Sequence, residues 1–138
     1  MAIQQISIFL ENKSGRLADV TRVMAEGGIN LRAISIADTA DFGILRVIVD
    51  KPEAALAALA AAGYTTRTTE VLGLEIQDVP GALSKVMDVF KQTGVNIEYL
   101  YASLEKSGDK AVVIFKVEDI SHGAKIVKEK GLSVIDEF

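Results

Sequence analysis

The chain has 138 residues, of which 49% are apolar and 25% are charged, as in an ordinary globular protein. A formal net charge of −4 argues against nucleic acid and anionic membranes as partners, because both attract basic surfaces. The absence of Cys excludes disulfides and thiolate metal sites, and the single His cannot build a zinc site unaided. Since no signal peptide and no apolar run of ~18 residues is visible, we expect a cytoplasmic protein without metal or cofactor.

The first half of the chain shows alternating strand and helix patterns. Residues 3–10 alternate apolar and polar side chains, which predicts a strand. A helix then opens at Gly15 and places Leu17, Val20 and Met24 on one stripe. The elements that follow are strand 29–38, turn 38–43, strand 44–50, an Ala-rich helix from Pro52 to Ala62, and strand 64–71. In strand 29–38 we expect one face to carry Leu31, either Ala33 or Ile34, and Ile36.

The second half repeats this order at an offset of 66 residues, with two or three extra residues near Ser107–Asp109. Its predicted elements are strand 71–77, helix 80–93, strands 95–105 and 110–118, helix 119–130 and strand 132–138. The matching pairs are Gly15 with Gly81, Leu17 with Leu83, Val20 with Val86, Val23 with Val89, Gly28 with Gly94, and Asn30 with Asn96.

The duplicated order predicts an α+β protein with two domains, residues 1–70 and 71–138. A βαββαβ unit with right-handed crossovers gives a four-stranded antiparallel sheet with both helices on one face, the ferredoxin-like plan. No Ser-, Gly- or Pro-rich linker separates the halves, so we expect the two units to pack together.

The turns "NKSGRL" and "DVPGAL" open the first helix of each half and are the main candidates for a binding site. The first amides of a helix lack internal partners, and Gly lets a small carboxylate approach them. We expect Pro80 at the first helical position. The alternative is purely local, with the Asx residue as a helix cap and the Asn after the helix as a turn residue.

The pattern N-x-x-G-x-L, followed by helical aliphatic spacing and G-[IV]-N-[IL], resembles the ACT domain, a regulatory module that binds small molecules. Two tandem copies cover essentially the whole chain. The resemblance implies a free amino acid bound at an interface between two ACT units. The positions that it implicates are Asn12, Lys13, Ser14, Gly15, Arg16, Leu17, Asn30 and Leu31 in the first copy, and Asp78, Val79, Pro80, Gly81, Ala82, Leu83, Asn96 and Ile97 in the second.

Two departures from the family pattern bear on the ligand. Some members carry a His two residues before the first Asn, where this chain has Leu10 and Ile76, so a hydroxy amino acid is disfavoured. The second copy replaces Asn12 by Asp78, whose carboxylate would repel a ligand carboxylate. With Lys13 and Arg16 in its turn, the first copy is expected to be the better anion acceptor.

Other functions find less support in the sequence. No nucleophile, base or metal cluster suggests catalysis, and His122 beside Asp119 is read as an exposed helix residue. Tyr99 and Tyr101 could stack on RNA bases, but the charge is negative and the RNA-binding signature is absent.

We therefore expect a non-catalytic, amino-acid-binding regulator that forms at least a homodimer. The alternatives are a regulatory subunit of a separate enzyme of amino-acid metabolism such as acetolactate synthase, or a structural ACT pair without a ligand.

Overall fold

The computed structural model describes residues 2–38, 41–136 and 138, so residues 39 and 40 of the predicted turn 38–43 and residue 137 of the predicted last strand lie outside the described residues. The strands are β1 (Ile3–Glu11), β2 (Leu31–Asp38), β3 (Phe42–Val49), β4 (Thr65–Gln77), β5 (Ile97–Ser107), β6 (Lys110–Val117) and β7 (Val134–Ile135). The helices are α1 (Arg16–Glu26), α2 (Pro52–Ala61), α3 (Ala82–Thr93) and α4 (Ile120–Glu129). Across the part of the chain that the structure describes, none of these helices has the length and apolarity to cross a membrane.

The chain divides into two compact units whose boundary falls inside β4. The first unit is Gln4–Thr69, and the second is Glu70–Phe138 with the N-terminal residues through Ile3. In the first unit β3 pairs antiparallel with β1 and β2, and β4 pairs with β1. In the second unit the order is β5, β6, β4 and β7, with every pairing antiparallel. Both units therefore follow the predicted βαββαβ plan.

The prediction of two separate four-stranded sheets is wrong, because the strands predicted at 64–71 and 71–77 are one. Strand β4 runs for 13 residues without a break. Its sequence is rich in β-branched residues, and Gly73 lies within it without the positive φ of a turn glycine. The last strand of the first unit and the first strand of the second are therefore one continuous strand.

Each unit has its own hydrophobic core between one face of its strands and its two helices. In the first unit the core consists of Ile6, Ile8 and Leu10 of β1, Val20 and Met24 of α1, Ile29 between α1 and β2, Leu45, Val47 and Val49 of β3, and Ala55 and Leu59 of α2. In the second it consists of Leu72, Leu74, Val86, Phe90, Val95, Val113, Phe115, Val117, Ile126 and Val127. The period-two strand residues and both helices share one cluster, which places both helices on the same face, as predicted.

The repeat extends to an irregularity in the strand that follows each first helix. The register of β2 against β3 shifts between Leu31 and Ala33, and that of β5 against β6 shifts between Ile97 and Tyr99, 66 residues later. The shift lets Leu31 and Ile34, three residues apart, both pack on the core of the first unit, whereas Ala33 pairs with Ile48 and is buried outside that cluster. The second helices, α2 and α4, start 68 residues apart, so the insertion amounts to two residues.

Several predicted boundaries differ from the structure. Helix α3 begins at Ala82, so Pro80 lies in the turn and not at the first helical position. The last strand, predicted over 132–138, is described only as Val134–Ile135. Leu17 was expected on the buried stripe of α1 but is 44% exposed, because core contacts begin one turn later at Val20.

Candidate functional site

The two turns that open α1 and α3 have the same backbone geometry. Gly15 has φ 87° and ψ −11°, and Gly81 has φ 87° and ψ −10°. Three backbone hydrogen bonds recur at matching positions of the two turns. In the first turn they run from Asn12 N to Asp41 O (3.0 Å), from Arg16 N to Lys13 O (3.3 Å) and from Asp19 N to Gly15 O (3.0 Å). In the second turn they run from Asp78 N to Asp109 O (2.8 Å), from Ala82 N to Val79 O (3.3 Å) and from Lys85 N to Gly81 O (3.1 Å). The two halves thus form turns of the same backbone shape although their side chains differ.

Neither turn uses its Asx side chain as a helix cap. The residue at the start of each helix is a glycine, which has no side chain to accept from the helix amides. Within the described residues, the exposed side chains of Asn12 and Asp78 form no hydrogen bond to the helix that follows. A methyl group added at Gly15 or Gly81 would contact nothing within 4 Å, so the approach to the helix start is open. The amides of Arg16 and Ala82 are engaged within the turns, and these features leave the next amides of each first helical turn accessible to an anion.

The first turn carries an ion-pair network that has no counterpart at the second turn among the residues that the structure describes. Glu11 lies 2.9 Å from the Lys13 ammonium and 3.8 Å from the Arg16 guanidinium, and Arg16 lies 3.9 Å from Asp19. The hydrogen bond from Lys13, with the charges of Lys13 and Arg16, lowers the pKa of Glu11 below its ordinary value. The two cations of this turn are therefore already partnered by carboxylates.

The second turn is less charged and more apolar. Val79 and Ala82 stand where the first turn has Lys13 and Arg16. Val79 is 55% exposed and Leu83, the counterpart of Leu17, is 37% exposed. Two turns of equal backbone shape thus present different surroundings to a ligand.

The two predicted Asn residues have different surroundings as well. The Asn30 backbone N–H donates to Asp50 Oδ1 (2.9 Å), and within the described residues its side chain makes no hydrogen bond. Asn96 instead donates through Nδ2 to Glu118 Oε2 (3.1 Å). The Asn96 side chain therefore has a structural role, whereas that of Asn30 is available. Leu31 and Ile97, also predicted for the site, pack half-buried against the cores of their units.

The structure does not bring the turn and the Asn of one unit together. Gly15 precedes α1 and Asn30 follows it, and α1 has 11 residues. At a rise of 1.5 Å per residue the helix separates them by about 16 Å. The 12 residues of α3 separate Gly81 from Asn96 in the same way. A small amino acid cannot span this distance.

Sequence reasoning missed the acidic residues that contact the two Asn residues. Asp50 and Glu118 each directly follow the strand before a second helix, and they exchange hydrogen bonds with Asn30 and Asn96. The available signal was that both copies carry an acid at this position.

The described residues contain no group of three or more His, Cys, Asp or Glu arranged to hold a metal ion.

Two βαββαβ units, each with a glycine turn before its first helix, define a duplicated α+β protein of the ferredoxin-like class. The family described as the ACT domain pair matches residues 1–138, and the chain belongs to this family. This agrees with the resemblance seen in the sequence.

Solved structures with the same architecture cover nearly the whole chain. Protein BT0572 from Bacteroides thetaiotaomicron is 42% identical with a TM-score of 0.92, over 98% of this chain and 92% of that one. The regulatory subunit of aspartate kinase from Thermus thermophilus, in its ligand-free form, is 23% identical with a TM-score of 0.66, over 91% of both chains. The corresponding subunit from Thermus flavus is 21% identical with a TM-score of 0.62, over 91% and 90%. No curated protein matches the chain.

Proposed function

We propose that this ACT domain pair is a non-catalytic regulator that binds a free amino acid. The observation that carries the proposal is the pair of glycine turns with equal backbone geometry and open helix amides. Local structure alone does not account for Asn12 and Asp78, because neither side chain caps its helix. Membership of a regulatory family that binds amino acids supports the same conclusion.

The ligand carboxylate would accept hydrogen bonds from the amides of Leu17 and Ala18 in the first turn of α1, where the helix dipole favours an anion. Lys13 and Arg16 offset the nearby charge of Glu11, so that carboxylate repels the ligand less. Because α1 separates Gly15 from Asn30, the ligand would bind where the turn of one ACT unit meets the Asn of another. We assign the stronger site to the first-copy turn (Asn12, Lys13, Ser14, Gly15, Arg16 and Leu17), since Asp78 adds a carboxylate to the second.

Regulation would follow from differential affinity. A ligand changes a conformational or assembly equilibrium only by the difference in its affinity for the two states, typically about 1–3 kcal/mol. An interface site of this kind needs units held side by side. We therefore include a homodimer in the proposal, to be measured by light scattering with and without ligand.

A thermal-shift screen of the twenty amino acids at millimolar concentration tests the proposal. A bound amino acid at a hundred times its Kd stabilises the folded state by about 2.7 kcal/mol, which is readily measured as a higher Tm. Calorimetry on the best ligand then quantifies binding. If no amino acid raises the Tm, the chain is a structural ACT pair.

Matched variants locate the site. Asn30→Ala removes an available side chain and should weaken binding about tenfold with little change in stability. Asn96→Ala is the control: its amide is engaged by Glu118, so we expect mainly a loss of stability. Unchanged affinity in Asn30→Ala would remove Asn30 from the site.

A second candidate function is that of a regulatory subunit for an enzyme of amino-acid metabolism. It is favoured by the similarity to the aspartate kinase regulatory subunits over 91% of this chain. Affinity purification from the native host should then recover a catalytic chain in stoichiometric amount. Recovery of the chain alone, with amino-acid binding intact, would favour the free sensor.

A further inference from the structure

Glu11 is the last residue of β1 and lies beside the first turn, outside the set of residues that the sequence predicted for the site. Its carboxylate lies 2.9 Å from the Lys13 ammonium and 3.8 Å from the Arg16 guanidinium. The Glu11 and Lys13 side chains are 48% and 67% exposed, so both are open to solvent. An anion that approaches the first turn therefore meets cations that already have a carboxylate as their partner.

The second unit shows that these ion pairs are not needed to form the turn. The positions that match Glu11 and Lys13 hold Gln77 and Val79, and neither of these side chains carries a charge. The second turn nevertheless has the same backbone angles at its glycine and the same three backbone hydrogen bonds at matching positions. The ion pairs of the first turn therefore do not determine its shape, and they can change when an anion binds.

Both cations of the first turn can leave their present partners at small cost. An ion pair between exposed side chains contributes little, because water screens the charges and both side chains lose freedom when they meet. Lys13 carries three N–H donors on a flexible chain, so its ammonium can turn from one carboxylate to another. Arg16 is held more loosely, at 3.8 Å from Glu11 and 3.9 Å from Asp19. Asp19 in turn has a closer partner in Arg22, at 2.9 Å.

We propose that Glu11 is an internal competitor for the anion site of the first turn and lowers the affinity of this turn for a carboxylate. In the free protein Glu11 holds Lys13. When a carboxylate binds at the Leu17 and Ala18 amides, Lys13 turns to it and Glu11 becomes solvated. This inference rests on the proposed function, because the competing anion is the carboxylate of a free amino acid. The contact sets a threshold, so that the protein responds only to an amino-acid concentration that overcomes it.

The competition couples binding to the protonation of Glu11. The hydrogen bond from Lys13, with the charges of Lys13 and Arg16, holds the pKa of Glu11 below its ordinary value. The opposite strand places the uncharged Phe42 across from Glu11, and the neighbouring Asp41 contacts the turn through its backbone carbonyl. Loss of Lys13 to a bound carboxylate should raise the pKa of Glu11. By reciprocity, protonation of Glu11 should strengthen binding, so affinity should rise as pH falls through this pKa.

Calorimetry of the full chain and of Glu11→Gln with each of the twenty amino acids tests the proposal. Glutamine removes the charge and is the residue that the second unit carries at this position, so the affinity for the amino acid that binds should rise about fivefold. In an NMR titration, the pKa of Glu11 should rise when this amino acid is bound. Sodium acetate at constant ionic strength supplies a carboxylate alone, and the shifts of the Leu17 and Ala18 amides should saturate at lower acetate in Glu11→Gln than in the wild type.

A second variant separates competition for Lys13 from simple repulsion by the Glu11 charge. In Lys13→Ala the contested cation is absent, so the further change Glu11→Gln should gain much less affinity than it does in the wild type. An equal gain with and without Lys13 would show repulsion alone and overturn the proposal.

The proposal is also overturned if Glu11→Gln has wild-type affinity, or if a bound amino acid leaves the pKa of Glu11 unchanged. These outcomes leave the proposed function intact, because the wild type still binds an amino acid. If no amino acid binds either protein but acetate binds Glu11→Gln more tightly, the proposed function fails and the competition stands. If acetate also binds both proteins equally, both fail.

Discussion

Gly15 and Gly81 illustrate how one residue decides the shape of a turn. Both have a positive φ of 87°, which costs an L-residue with a Cβ about 1–2 kcal/mol. Space is not the constraint, because an added Cβ meets nothing within 4 Å. A larger residue at either position would therefore meet backbone strain and not crowding.

We predict that Gly15→Ala lowers the free energy of unfolding by about 1–2 kcal/mol, measured by urea denaturation. Gly81→Ala should lose the same amount, because its φ is identical. Gly15→Asn should lose less, since Asn tolerates the left-handed region. Equal stability of Gly15→Ala and wild type would contradict the assignment of strain to this turn.

The protonation of Glu11 depends on its contacts with Lys13 and Arg16 in the first turn. Its pKa is lowered in the folded state, so the stability that it contributes is present above its unfolded pKa near 4.5 and is lost as pH falls through the lower folded value. In an NMR titration, Glu11 should titrate below its ordinary pKa in the wild type. Lys13→Ala should raise that pKa toward the ordinary value, and an identical titration in both proteins would contradict the Glu11–Lys13 interaction.

At the scale of elements, the second helices of the two units contact their strands differently. Ala55 of α2 is fully buried, and Gly123 occupies the matching position of α4. A Cβ on Gly123 would lie 2.9 Å from Val117 Cγ2 and 3.2 Å from Leu72 Cδ1. Helix α4 therefore packs too closely on its strands to accept the methyl group that α2 carries.

Gly123→Ala should destabilise the protein by about 1–2 kcal/mol, because overpacking outweighs the gain in helix propensity. The measurement is chemical denaturation, with exposed Ser121→Ala as the control within ±0.5 kcal/mol. A double-mutant cycle with Val117→Ala should show that the two changes compensate in part. A stabilising Gly123→Ala would mean that α4 shifts outward without cost.

At the scale of the whole molecule, the two units share strand β4 yet have separate cores. We predict a single cooperative unfolding transition, because loss of β4 removes a strand from both units. Leu59→Ala in the first core should cost about 2–5 kcal/mol, and Phe90→Ala in the second about 3–5 kcal/mol. Both variants should shift the same calorimetric transition. Two transitions, of which each variant moves only one, would show that the units unfold independently.

Most of the fold was predictable because its signals are local. Alternation marked β1, β-branched content marked β3, and helical spacing marked α1 and, through the repeat, α3, since burial of one face imposes those periods. The sequence left open whether Ala33 or Ile34 shares a face with Leu31, and this ambiguity indicated the β-bulge. The register shift in β2 interrupts the strict alternation of the strand. The site was less predictable: the sequence located both turns and both Asn residues, but not which polar side chains were already engaged.

The sequence by itself determined the duplication, the order of the elements and the two glycine turns, since these depend on residue spacing and on the backbone freedom of Gly. Only the tertiary structure decided that β4 is continuous, that Glu11 pairs with Lys13, and that Asn96 is held by Glu118 while the Asn30 side chain is not hydrogen-bonded within the described residues. The physical reason is distance along the chain. Asn96 and Glu118 are 22 residues apart and meet only after the strands and helices between them have packed.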